Sequence, residues 1–143
     1  MPPIYLHLAA GTTTPEIAKR PFRAVVIVEQ KVTDDWRGQV SAWLVANGCL
    51  YMMAWGDDCS RWDDSVDYAN LDDFDYGDVP DDRFVMTTWH ERERLAEVFW
   101  YAEHCAWHPT IELQATVILD ISAEAREAEM LSLYESAISE DAN

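Results

Sequence analysis

Three groups of residues have the types and spacing for chemistry. The first is Cys59 with His90. A thiol just past an apolar run and just before a helical stretch is a candidate nucleophile, and an imidazole could serve it as base. Against this, Asp57, Asp58, Asp63 and Asp64 crowd the thiol, and negative neighbours raise a thiol pKa. The second is His104, Cys105 and His108. Histidines at i and i+4 share a helix face, as zinc ligands can, but no H-E-x-x-H motif is present. Cys105 instead continues an apolar stripe, and both histidines suit the negative end of a helix. The third is Asp63, Asp64 and Asp67, three carboxylates on adjacent turns, suited to a hard cation. Their spacing departs from the calcium-loop pattern, and no partner set stands elsewhere. We therefore assign no catalytic residue, no metal ligand and no cofactor from the sequence. Glycine-rich phosphate loops are absent as well.

Charge is more telling. The 143 residues carry 27 acids against 10 Lys and Arg, for a net charge of -17. That balance argues against direct binding to nucleic acid or an anionic membrane. The acids are also concentrated. Residues 57 to 82 hold eleven aspartates and a single base, Arg61. A solvated helix face and loop would read the same way. Trp55, Trp62 and Trp89 stand at or beside strand ends near this segment, and tryptophan is enriched at interface hot spots. Trp36, Trp43, Trp100 and Trp107 read as helix packing.

These residues need a scaffold. The alternation of segments predicts an α/β domain spanning 1–143, with 1–22 irregular except for an edge strand near Ile4 to Leu8. Strands are expected at Arg23–Val28, Cys49–Trp55, Arg83–Trp89 and Gln114–Ile121, from their apolar and β-branched runs. Helices are expected over Asp34–Asn47 after an N-cap at Thr33, Ser60–Leu71, Glu91–Trp107, and from Ser122 to Ile138 with Leu131, Tyr134 and Ile138 inward. Such alternation implies a mostly parallel four-stranded sheet with helices on both faces, a three-layer, Rossmann-like or flavodoxin-like arrangement. Strand-to-helix loops then share one edge: Glu29 and Gln30, Gly56 to Ser60, Trp89 to Arg92, and Asp120 to Ser122. No apolar run is long enough to span a bilayer, and the N-terminus does not read as a secretory signal. Three cysteines without framework spacing read as reduced thiols, so a cytoplasmic location is expected.

Two resemblances add to this. Cys49-Leu50-Tyr51-Met52-Met53-Ala54-Trp55-Gly56 and Val85-Met86-Thr87-Thr88-Trp89-His90 resemble an uncharacterised family of small acidic bacterial proteins, which implies an α/β fold and no function. Arg23 to Ile27, Trp55-Gly56 followed by Trp62-Asp63, and the helix-then-strand of Leu95 to Leu119 are similar to barstar-type ribonuclease inhibitors. That likeness implies a small acidic inhibitor. This chain is longer and carries an extra strand at Cys49 to Trp55.

The expectation is an acidic, non-enzymatic domain that binds a basic protein, in the manner of an immunity protein, inhibitor or nucleic-acid mimic. Its contacts would be Trp55, Asp57, Asp58, Trp62, Asp63, Asp64, Asp67, Trp89 and His90. The alternative is a small-molecule or metal-binding domain, or an enzyme, centred on Asp57, Cys59, Trp89 and His90.

Overall fold

The computed structural model describes residues 2–139. Its sheet has five strands, all parallel: β1 (Ile4–His7), β2 (Phe22–Val28), β3 (Cys49–Gly56), β4 (Met86–Trp89) and β5 (Ala115–Ile121), in the spatial order β1-β5-β2-β3-β4. The four expected strands are thus present, and the N-terminal edge strand makes a fifth. Four helices join them: α1 (Asp34–Ala46), α2 (Cys59–Asp72), α3 (Leu95–His104) and α4 (Glu127–Ile138).

Side chains alternate across the sheet, so each strand feeds two cores. Ala24, Val26, Met52, Ala54, Val117 and Leu119 pack under Trp36, Val40 and Leu44 of α1 and Trp62 and Val66 of α2. Val25, Ile27, Tyr51, Met53 and Ile118 pack under Val98 and Phe99 of α3 and Met130 and Tyr134 of α4. Burial on both faces explains why β2, β3 and β5 read as continuous apolar runs.

Local signals set several boundaries. Thr33 caps α1, its hydroxyl accepting the Trp36 N–H at 3.1 Å. Gly56 ends β3 at φ +105°, where an added Cβ would lie 2.2 Å from the Val28 carbonyl oxygen. Only glycine fits there, and the turn lets the Asp57 N–H reach that oxygen at 2.8 Å.

Other boundaries differ from expectation. β4 begins at Met86, because Asp81–Arg83 form a short 3-10 turn. α3 begins at Leu95, four residues late, since Arg92 takes φ +64° and Glu97 accepts the Arg94 N–H. It ends at His104, which leaves Cys105 exposed and outside the stripe assigned to it. Trp107 is 75% exposed and Trp100 lies half out of the core, so neither is the packed residue expected. α4 begins at Glu127. Ser122 is a buried turn residue whose hydroxyl donates to Glu124 O at 3.0 Å. Met130 and Ala137 are buried there beside Tyr134, while Leu131 and Ile138 are half-buried at the margin.

Candidate functional site

β2 and β3 lead into helices on one face, whereas β4 and β5 lead into helices on the other. Neighbouring strands therefore send their chains apart at two places on the carboxyl edge, between β5 and β2 and between β3 and β4. Such divergence is where open α/β sheets form ligand crevices.

The first crevice is filled by an ion cluster. Asp120, fully buried on β5, accepts Arg126 Nε and Nη2, each at 2.9 Å. It also accepts the Tyr5 hydroxyl at 2.6 Å. Arg126 Nη1 reaches Glu29 on the far side at 2.9 Å. The Arg126 N–H donates to the Tyr5 oxygen at 3.0 Å. Burial pushes the Asp120 carboxyl upward, but the hydrogen bonds from Arg126 and Tyr5 and the Arg126 charge outweigh it, and its pKa is net lowered. Burial, followed by the bond to Asp120, pushes the Tyr5 phenol up to about 12. The cluster is fully paired, so it locks β1, β5 and the start of α4 together. Asp120 and Glu29 were legible only as edge residues. Tyr5 carried no local signal, because Asp120 and Arg126 are more than 100 residues away, and Arg126, six residues past Asp120, fell inside the stretch expected to be helical.

The second crevice holds the expected site, and the structure sorts its members. Trp89 is 50% exposed, and Asp58 and Asp64 are open to solvent. Trp55 is half-buried, its indole N–H donating to Glu93 O at 2.8 Å. Asp57 meets Lys31 at 3.5 Å on the surface. Trp62 is a correction: it is fully buried, edge-on to Trp36, because its position on α2 points at the sheet. His90 is also interior, at 6% exposure, and cannot be a surface contact. Cys59 is buried as well. Desolvation raises its thiol pKa, so a thiolate nucleophile is disfavoured for a reason beyond the aspartates.

His90 instead bridges two groups that sequence reasoning missed. Its Nδ1 lies 2.9 Å from Glu93 Oε2 and its Nε2 lies 2.8 Å from the Thr88 hydroxyl. A carboxylate on Nδ1 holds the proton there, leaving Nε2 to accept from Thr88. The spacing of Thr88, His90 and Glu93 at two and three residues was the available signal. It becomes visible only once the chain past β4 is known to turn and not to enter α3.

The far side of α2 is a ladder against β4. Asp67 accepts the Thr87 hydroxyl at 2.8 Å. Asn70 accepts the Val85 N–H and donates to Arg83 O, both at 3.0 Å. Asp63 falls between Cys59 and Asp67 on the same side of the helix. It is 8% exposed, and its Oδ1 has no hydrogen-bond partner among the described residues. Desolvation raises the Asp67 carboxyl, with the Asp63 and Asp64 charges adding to it and the Thr87 hydroxyl opposing.

The zinc candidates do not converge. His108 donates from Nε2 to Phe84 O at 2.7 Å, while its Nδ1 accepts the Thr110 and Ile111 N–H groups at 3.2 and 3.1 Å. This engagement with a loop, not a helix dipole, accounts for His108. His104 stacks on Trp100 and faces Ile138 O at 3.4 Å. Among the described residues no three His, Cys, Asp or Glu side chains are grouped to hold a metal ion.

Residues 3–137 match the family described as Domain of unknown function (DUF7684). The chain belongs to this family. The DUF7684 match runs from just before β1 to within a residue of the end of α4, so it includes both crevices. No curated protein and no solved structure matches the chain. Among the described residues no helix of this DUF7684 domain is long and apolar enough to cross a membrane.

Proposed function

We propose that the domain binds a basic protein through the surface made by α2, the 73–82 loop and the end of β4, as an inhibitor, immunity protein or nucleic-acid mimic would. One observation carries this reading. Eight of the eleven aspartates in 57 to 82 are exposed, and the same segment and the strand after it carry exposed aromatic rings: Tyr68 at 64%, Tyr76 at 62%, Phe84 at 47% and Trp89 at 50%. The salt bridges this segment makes among the described residues are long and exposed, Lys31–Asp57 at 3.5 Å and Arg83–Asp73 at 3.6 Å. Charge left this unbalanced repels itself unless a cationic surface covers it. Large aromatics left in water beside it supply the desolvated anchors of an interface.

The test is kinetic. Against a basic partner captured from the native host, the association rate is expected to fall about tenfold or more as salt rises from low to several hundred millimolar. Replacing the exposed Asp64, Asp72, Asp75 and Asp78 together by Asn should slow association and leave the melting temperature unchanged or higher. An association rate indifferent to salt and to these changes would reduce the segment to a solubilising face.

A hydrolytic reading has one observation in its favour, the Thr88–His90–Glu93 chain. A hydroxyl on Nε2 and a carboxylate on Nδ1 is the arrangement that activates an alcohol nucleophile. On this reading a fluorophosphonate probe labels the protein, and labelling is lost in Thr88→Val. Absence of labelling in the folded wild type would leave His90 as a strut for the loop before α3.

A further inference from the structure

β4 is an outer strand, and its free edge faces away from β3. The His90 N–H bonds to Ala54 O across the sheet at 2.9 Å. In a parallel ladder the groups alternate, so Thr88 and His90 face β3 while Val85, Thr87 and Trp89 direct their N–H and C=O groups outward. The first of these is already covered: Asn70 takes the Val85 N–H. That side-chain cover ends one residue later. Among the described residues Thr87 and Trp89 are left as two open rungs, on a strand whose residues are partly or largely exposed. An uncovered edge is a template for another strand.

We propose, building on the basic-partner reading above, that the partner docks by adding an extended segment to this edge as a sixth strand, with Lys or Arg at alternate positions. The groove beside the edge is lined by Asp67, Leu71, Phe84 and Thr87, so it offers one carboxylate and two apolar surfaces on the α2 side. Alternate side chains of an added strand would enter it. The chemistry of those side chains follows from Asp67. Asp67 lines the groove, its carboxylate accepting the Thr87 hydroxyl, and Asp63, buried one turn before it, adds negative charge behind it. A guanidinium or ammonium laid along the edge pairs with the Asp67 carboxylate. A second copy of this chain is a poor occupant, because β4 against β4 sets Asp67 against its own equivalent in a molecule of net charge -17.

The probe is an acetylated, amidated octapeptide of alternating Lys and Val. It is compared with two versions N-methylated at every second amide, one in each register. Methylation keeps the charge and removes the hydrogen bonds of one strand edge. With the full-length protein, amide exchange at Thr87 and Trp89 should slow at least tenfold on adding the parent peptide. One of the two methylated peptides should bind at least tenfold more weakly. Thr87→Pro should weaken the parent peptide similarly, since it removes an outward N–H that no ladder bond uses. If that variant does not fold, the methylated peptides alone decide. Equal binding of all three peptides, with exchange slowed only in 72–82, would overturn docking at the edge and leave the basic-partner reading standing. No binding of any of the peptides at low salt would overturn both.

Discussion

Arg126→Met is expected to destabilise the domain by about 3–5 kcal/mol at neutral pH, because it strands the Asp120 charge inside the protein. Asp120 is fully buried, and two of its three side-chain donors belong to Arg126. Methionine fills similar volume, so the cost reports on charge more than on packing. The pH dependence carries a definite sign. In the wild type the Asp120 pKa is lowered, so its contribution is present above the unfolded value of about 3.9 and is lost as pH falls through the folded value. In the variant the Arg126 bonds and charge are gone and the Tyr5 hydroxyl is the main group left opposing burial, so the pKa rises. The variant then recovers relative to wild type as pH falls and Asp120 takes up a proton. Urea unfolding at pH 7 and pH 4 should show the gap narrowing. The double variant with Asp120→Asn should be more stable at pH 7 than Arg126→Met alone. A gap under about 1 kcal/mol at pH 7 would mean that water or a rearranged donor satisfies Asp120.

Trp62→Ala is expected to cost about 3–5 kcal/mol by emptying the space between α1, α2 and the sheet. The indole is fully buried against Trp36, and its N–H has no acceptor among the described residues. Trp62→Phe gives up no hydrogen bond, and we expect it to lose under half as much. Trp89→Ala is the contrasting change. Half of that side chain is exposed, so stability should move by no more than about 0.5 kcal/mol. If the surface binds as proposed, Trp89→Ala raises the dissociation rate and Trp62→Ala does not, once both are compared as folded protein. Equal stabilities for the Trp62→Ala and Trp89→Ala variants would contradict the buried placement.

The tryptophans show where sequence reasoning stops. Periodicity phases a helix but does not say what stands opposite each face. Trp62 and Trp89 both lie next to aspartates and near strand ends, and they read alike. α2 turns Trp62 onto Met52 and Ala54, while β4, lying outermost, leaves Trp89 without a neighbour on one side. The same gap explains Trp107 and Cys105. Their apolar character continued the α3 stripe, but the helix ends at His104, and both fall beyond it.

What the sequence by itself determined is the set of interactions that close over a few residues. Unbroken apolar runs specified β2, β3 and β5. Thr33 specified the start of α1, and alternation of strand with helix specified a parallel sheet. The crowding of aspartates into 57 to 82 is likewise a property of the chain alone. Only the tertiary structure decided the strand order, which sets β4 at one edge and inserts β5 between β1 and β2. That order brings Tyr5 within 2.6 Å of Asp120 across 115 residues and draws Arg126 back over the edge, so that α4 starts later than its local pattern indicates. It also leaves the Thr87 and Trp89 rungs open. The Tyr5–Asp120 and Arg126–Glu29 contacts depend on loop closures over most of the chain, and no window of neighbouring residues contains both partners.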